Sequence, residues 1–395
     1  MTLNIRPYAS DDVGAVHRLA QRAFSPTPGD EFDPDRPSMG DDRRLVAEWD
    51  GRVVGHLGAW QLGHWFGGQR LATAGITNVT VEPESRGRGV GGALLRAGLD
   101  AAHDRGEPLA SLFPLTRHVY RRKGFELAGV WPQAQVTTAA LAALPAPDGV
   151  EVHPGGADDL DEMLALERSL APSEAGMLDR PAEFAARNLR PGIHDAVVLA
   201  RRDGELVGHL VYAHERSSQD HAFFGLRVKE LVGRDADALL ALYHVLGSSA
   251  SGAPSVTLPV GPEDPLELWL PEQAWTASAV SWRWMCRLVD PAAAIAGRGW
   301  PDHVRGRAEL DLLDPLWPDR GGPWTLEIEG GQGQLRRGGS GGARIEVGPL
   351  ASWFTGWASA TRLARYGKLT GADEPTLAFL DAAAAGPAPW VRSFF

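Results

Sequence analysis

The sequence predicts a mixed α/β (α+β) chain of two or three domains, the second laid out on the plan of the first. Three observations predict it. The chain has 395 residues, room for two or three domains at roughly 100–200 residues each. Strand-period and helix-period segments alternate along it. LVAEWDGRVVGHL at 45–57 also aligns without gaps to VLARRDGELVGHL at 198–210, identical at seven of thirteen positions.

The elements follow in order. LNIRPY at 3–8 alternates as a short strand. Ser10, Asp11 and Asp12 then start a helix whose Val13, Val16, Leu19 and Ala20 share one face. Residues 25–42, rich in Pro, Gly and Asp, read as a long loop. Residues 44–60 form two strands joined at Asp50–Gly51, a strong hairpin signal. A strand near 69–82, a helix near 89–105 and a strand near 108–113 come next. The Ala/Pro-rich stretch 139–149 precedes a second unit that opens at Glu151 and Val152, with a helix at 161–170 before the repeated hairpin. A third section begins near 285. It carries the strands WTLEIEG and ARIEVG around a glycine-rich turn. Helices at 350–366 and 374–385 follow, with Trp353, Phe354 and Trp357 on the first, and WVRSFF is last.

Charge and composition narrow the chemistry. A formal net charge of −11 argues against a nucleic-acid partner, whose phosphates need a basic face, and suits a cationic ligand. Cys286 is the single cysteine, which excludes an intrachain disulfide and a cysteine-based zinc site. His209 and His214 do not share a strand face, and no metal site is expected. His56 and His209 fall at equivalent places in the repeat, which points to a structural role. Gly338–Gly342 satisfies G-x-S-x-G but lies in a glycine-rich turn without the strand-to-helix context a nucleophile needs. With no signal-peptide pattern and no long apolar run, a cytoplasmic protein without a membrane span is expected.

The most informative stretch is ITNVTVEPESRGRGVGGALLRAGLDAAHDRG at 76–106. A β-branched strand, Ile76 to Val81, runs through a turn at Pro83 into Arg86, Gly87, Arg88, Gly89, Val90, Gly91 and Gly92. A helix with Leu94, Leu95 and Leu99 on one side follows. Glycines admit an anion to the backbone, the helix N-terminus aims N–H groups at it, and the arginines add charge. The spacing matches neither a Walker loop nor a dinucleotide fingerprint.

R-x-x-G-x-G behind a V-x-V strand resembles the acetyl-CoA signature of GNAT enzymes. LTRHVYRRKGFELAG at 115–129 resembles their YxxxGF segment. With CRLVDPAAAIAGRGWP and the terminal WVRSFF, the chain resembles the enhanced-intracellular-survival (Eis) family over essentially its whole length. That resemblance implies a catalytic GNAT domain at 1–148, a degenerate GNAT domain at 149–288 and a sterol-carrier-protein-like domain at 289–395. It implies acetyl-CoA as acyl donor, held at Val79, Thr80 and Val81, at Arg86 through Gly92, and at Leu115 and Thr116. These last two stand where the family often has a serine–glutamate pair. KELVGRDADALL at 229–240 replaces the loop in the second copy, so one coenzyme site per chain is expected.

The resemblance further implies Tyr120 as proton donor to the sulfur and the carboxylate of Phe395 as general base, anchored by Phe394 and Trp390. It also implies a homohexamer and a primary amine of a cationic, aminoglycoside-like small molecule as acceptor. Asp30, Glu31, Asp33 and Asp35 are candidate contacts for that cation. Peptide lysines, biosynthetic amines and a non-catalytic lipid- or drug-binding role of the third domain are the alternatives.

Overall fold

The computed structural model describes residues 2–24, 39–187, 196–216 and 222–395. The expected acidic cluster of Asp30, Glu31, Asp33 and Asp35 lies outside them. Two units divide the chain. The first takes residues 1–129, Arg283–Pro389 and Phe395; the second takes Val130–Trp282 and Trp390–Phe394.

The first unit opens with β1 (Leu3–Pro7), α1 (Val13–Phe24), β2 (Arg44–Trp49), β3 (Arg52–Phe66) and β4 (Gln69–Val81). Helix α2 (Val90–Asp104), β5 (Leu109–Leu112) and the short α3 (Arg117–Arg121) follow. Strand β6 (Glu126–Thr137) carries the chain into the second unit. There come α4 (Thr138–Ala142), β7 (Glu151–Gly155), α5 (Leu160–Leu170), β8 (Leu178–Asp179) and α6 (Ala182–Ala186). Next are β9 (Ala196–Arg202), β10 (Glu205–Glu215), β11 (Gly225–Gly233), α7 (Ala236–Gly247), β12 (Ser255–Leu258) and α8 (Leu266–Trp269). Strand β13 (Trp275–Leu288) returns the chain to the first unit. The third section holds α9 (Pro291–Gly297), β14 (Gly306–Leu313), β15 (Gly322–Glu329), β16 (Gln332–Arg337) and β17 (Ala343–Glu346). It ends with α10 (Val347–Phe354), α11 (Ala360–Arg365), β18 (Leu369–Thr370) and α12 (Glu374–Ala383).

In the first unit the strands run β1-β2-β3-β4-β5-β13, with β4 and β5 parallel. Helix α2 packs on this sheet because Leu94, Leu95 and Leu99 recur on one face; all three are at most 1% exposed. Burying each contributes about 1.5–3 kcal/mol. Their partners in the cluster include Val54, Leu57 and Ile76 of the sheet. The third section, with strand order β16-β15-β14-β17-β18, is tied to this domain through α2. Arg96 donates to Leu316 O at 2.8 Å, and Trp317 Nε1 donates to Asp100 at 3.0 Å. The helix expected over 350–366 is two helices: Gly356, at φ +81°, ends the first. Trp357 therefore lies past the break, whereas Trp353 and Phe354 are fully buried core residues.

The duplicated plan is visible in backbone detail. Asp50 and Gly51 have φ of 50° and 79°, and Asp203 and Gly204 have 51° and 84°. Both hairpins thus turn with two successive left-handed residues, the combination that matches strand twist. Gly55 has no room for a side chain: a Cβ there would lie 3.0 Å from Thr80 O and 2.9 Å from Leu94. Its counterpart Gly208 would meet Val232 O at 2.9 Å and Leu242 at 3.2 Å. In each copy one glycine lets a helix leucine settle on the sheet. His56 and His209 are both buried, at 2% and 0% exposure.

Candidate active site

Helix α2 begins without a side-chain cap; Gly89, at φ +85°, occupies the N-cap position. The first helical bond runs from Ala93 N–H to Gly89 O at 3.0 Å, so the donors of Val90, Gly91 and Gly92 precede the ladder. Gly87 also sits at positive φ, +75°, where a Cβ is strained. Arg86, Gly87, Arg88 and Gly89 are exposed, and Val90 is buried beneath them. Arg86 Nε donates to Val81 O at 3.2 Å, and the Arg88 guanidinium lies 5.4 Å from the Trp49 ring. Open donors, two left-handed glycines and two exposed cations suit the pyrophosphate of a coenzyme.

The second copy treats its helix differently. Asp235 caps α7, its carboxylate accepting from Ala238 N–H at 3.0 Å, and Arg202 pairs with Asp235 at 2.7 Å. Asp237 adds another acid to the first turn. A fixed carboxylate occupies the position a phosphate would need and repels it.

Strand β4 parts from β5 beside the loop. The two pair only from Thr73↔Leu109 to Gly75↔Ser111, while β4 continues to Val81. Against β3, His56 faces Thr80 but Gly58 faces Thr77. Asn78 and Val79 therefore stand opposite the single residue Leu57, a β-bulge that bends the strand. Asn78 has φ +50°, a region that asparagine tolerates better than most residues. Its carbonyl lies 3.2 Å from His56 Nδ1. Burial pushes the His56 imidazole down to about 4, so it is neutral at pH 7. Past Gly75, Val79 and Val81 are half-buried and Thr80 is buried.

Phe395 sits where the two strands begin to part. It is 6% exposed, and its ring reaches within 3.4 Å of the position a Cβ on Gly75 would take. It meets the Phe113 ring edge to face at 5.1 Å and the His64 ring at 6.3 Å. His64 bonds Ser111 Oγ at 3.0 Å and stacks on Trp284 at 4.8 Å. The anchors of Phe395 are thus Phe113 and His64, which sequence reasoning missed. Phe394 packs instead on Trp131. The five residues before Phe395 group with the second unit rather than the third section.

Tyr120 lies near the end of α3, half-buried against Phe125 with ring centroids 6.1 Å apart. Burial raises its hydroxyl above the ordinary tyrosine value, so it is held protonated at neutral pH. Thr116 caps the same helix by position and is exposed, as is Leu115 at 70%.

Comparison with known proteins agrees with this architecture. Residues 4–128 match an acetyltransferase (GNAT) domain, residues 176–288 match a second acetyltransferase (GNAT) domain, and residues 291–392 match a sterol carrier protein domain. A solved GCN5-related N-acetyltransferase from Kribbella flavida is 30% identical, aligned over 100% of this chain and 98% of that one, at TM-score 0.87. Eis1 from Mycobacterium abscessus shares the fold at TM-score 0.79 and 21% identity, over 99% of this chain and 100% of that one. An uncharacterized N-acetyltransferase of Streptomyces avermitilis is 32% identical over 53% of this chain, which spans 54% of that relative's length. No helix among the described residues is long and apolar enough to cross a membrane. Enzymes with such domains use acetyl-CoA. With tandem acetyltransferase domains, a sterol-carrier-like third domain and a full-length relative at 30% identity, the chain belongs to the GCN5-related N-acetyltransferase family and is an N-acetyltransferase.

Proposed function

We propose that this enzyme is Eis-like and acetylates a primary amine of a cationic, aminoglycoside-like small molecule, with Tyr120 as acid and the Phe395 carboxylate as base. The observation that carries this reading is the buried seat of Phe395 over Gly75, where β4 leaves β5. An unanchored terminal residue would be solvated; this one is packed against Phe113 and His64.

When bound, acetyl-CoA supplies an acetyl group activated as a thioester. Residues Arg86–Gly92 hold its pyrophosphate, and the strand Val79–Val81, with Leu115 and Thr116 nearby in the fold plan, lines its arm. The Phe395 carboxylate takes a proton from the attacking nitrogen, and Tyr120 Oη gives one up to the departing sulfur. The net charge of −11 favours a cationic acceptor. On this reading the catalytic domain is 1–148, the second GNAT domain 149–288 and the sterol-carrier-like domain 289–395, in a homohexamer.

The test compares full-length protein tagged at its N-terminus with protein extended by one residue after Phe395. Both are checked by thermal melts and assayed for thiol release from acetyl-CoA with kanamycin and with spermidine. One extended residue moves the charge by about 3.3–3.6 Å, beyond hydrogen-bond reach. The extended protein is expected to fold, bind coenzyme and turn over at least tenfold more slowly. Equal turnover would overturn the assignment of the base.

A further inference from the structure

Each residue from Trp390 to Ser393 is hydrogen-bonded within the second unit. Trp390 N–H donates to Ala175 O at 3.0 Å, and its indole Nε1 donates to Glu174 at 2.9 Å. Val391 N–H donates to Val130 O at 3.0 Å, and Arg392 O accepts from Trp131 Nε1 at 3.0 Å. Ser393 Oγ accepts from Arg180 Nη1 at 2.9 Å.

Arg180 is the centre of a buried charge cluster. It bonds Glu230 at 2.6 Å and Glu167 at 2.7 Å, and the four residues Arg180, Glu230, His209 and Ser393 are each under 9% exposed. Glu167, His209 and Glu230 bring ligand atoms within 4.8 Å of one another. The guanidinium already bridges the two carboxylates, so the cation that trio would take is Arg180 itself. Burial opposes the charge, but Glu167 and Glu230 outweigh it and keep the guanidinium protonated. The planar fork holds two carboxylates and a hydroxyl in fixed directions, whereas a lysine ammonium is a point charge on a flexible stem and fixes them less well.

Two carboxylates around one arginine would suffice for a structural ion cluster. The third bond, to a serine two residues before the terminal residue, is not needed for that. We propose that Arg180 is a positioning residue for acetyl transfer: by holding Ser393 it fixes the path of the chain into Phe395, and so the place of the Phe395 carboxylate. This rests on Phe395 being the base.

The experiment uses the full-length protein with Ser393→Ala, Arg180→Lys and Arg180→Met, beside a variant lacking Phe395. Turnover is followed with acetyl-CoA and kanamycin or spermidine, coenzyme affinity by calorimetry, and stability by thermal melts. Release of phenylalanine by carboxypeptidase, read by mass spectrometry, reports the hold on the terminus without any acceptor. Ser393→Ala is expected to melt within a few degrees of the parent and bind acetyl-CoA equally. Its kcat should fall at least tenfold, and Phe395 should be released several-fold faster. Arg180→Lys should lie between the parent and Arg180→Met. If Arg180→Met does not fold, Ser393→Ala and Arg180→Lys decide the matter. Parental turnover and parental release in folded Ser393→Ala, with the Phe395-deleted protein inactive, would reduce Arg180 to a structural role. Full activity of the Phe395-deleted protein would instead remove the base itself, an outcome distinct from any result on Ser393.

Discussion

Phe395 meets Phe113 edge to face, with ring centroids 5.1 Å apart and planes at 64°. Phe113 is the residue directly after β5, so the strand that begins the cleft also supplies the wall against which the last ring rests. An aromatic pair of this kind contributes about 0.5–1.5 kcal/mol beyond its buried area. Phe113→Ala is expected to leave acetyl-CoA affinity within twofold while lowering kcat by tenfold or more. Misplacing a reacting group by an ångström costs on the order of a hundredfold. Steady-state kinetics with matched calorimetry measure the split; an unchanged kcat would free Phe395 from any dependence on that ring.

The coenzyme loop makes a graded prediction. Gly89 is at φ +85°, where a Cβ costs roughly 1–2 kcal/mol, and it opens the donors of α2. Gly91 is inside the helix, and a Cβ there would make ordinary contact with Val81 at 3.4 Å. Gly89→Ala should therefore weaken acetyl-CoA binding by tenfold or more, and Gly91→Ala by much less. Arg88→Ala should weaken it in a salt-dependent way. Calorimetry at two ionic strengths checks all three, and equal effects at both glycines would count against the geometry described.

Tyr120→Phe removes one oxygen and leaves the packing on Phe125. General acid catalysis contributes roughly 10²–10⁴-fold, so kcat should drop on that scale with coenzyme affinity retained. A Tyr120→Phe enzyme with parental kcat would assign the leaving-group proton to another group.

His56 makes folding sensitive to acid. Its folded-state value is about 4 against about 6.5 in an unfolded chain. Between these values the unfolded state binds the extra proton, so the neutral histidine's contribution is intact above pH 6.5 and is lost as pH falls to 4. At pH 5 this amounts to roughly 2 kcal/mol. Between pH 7.5 and 5 the parent should lose several degrees of Tm more than His56→Gln does. Parallel losses would place the acid sensitivity elsewhere.

What was legible in the sequence is local. The strand, glycine-rich loop and helix around Arg86–Gly92 follow from residue types adjacent in the chain, and Asp50–Gly51 announces its turn. The bulge at Asn78, at φ +50°, interrupts the run read as one β-branched strand from Ile76 to Val81, because no period marks a single left-handed residue. Gly356 inside an apolar run hid a helix end, since the hydrophobic period continues across it. The seat of Phe395 was beyond reach for a different reason. Ser393 and Arg180 are 213 residues apart, and no periodicity records a bond over that separation. His64 of β3 likewise bonds Ser111 of β5, which Phe113 closely follows, with no motif shared between the two segments.

The carboxylate of Asp235 at the start of α7 makes that helix end costly to open to a phosphate. Reopening that helix to a phosphate would take loss of the cap, loss of Asp237 and arrival of an arginine–glycine loop, all before any gain in binding. Each intermediate would be a less stable domain, since removing an aspartate cap costs about 0.5–2 kcal/mol, with no activity to show for it. The cap thus ties the start of α7 to the stability of its own domain. Substitutions in the second unit should be tolerated on its outer face and costly along Glu174, Arg180 and Glu230, whose bonds hold its buried charge and the segment before Phe395.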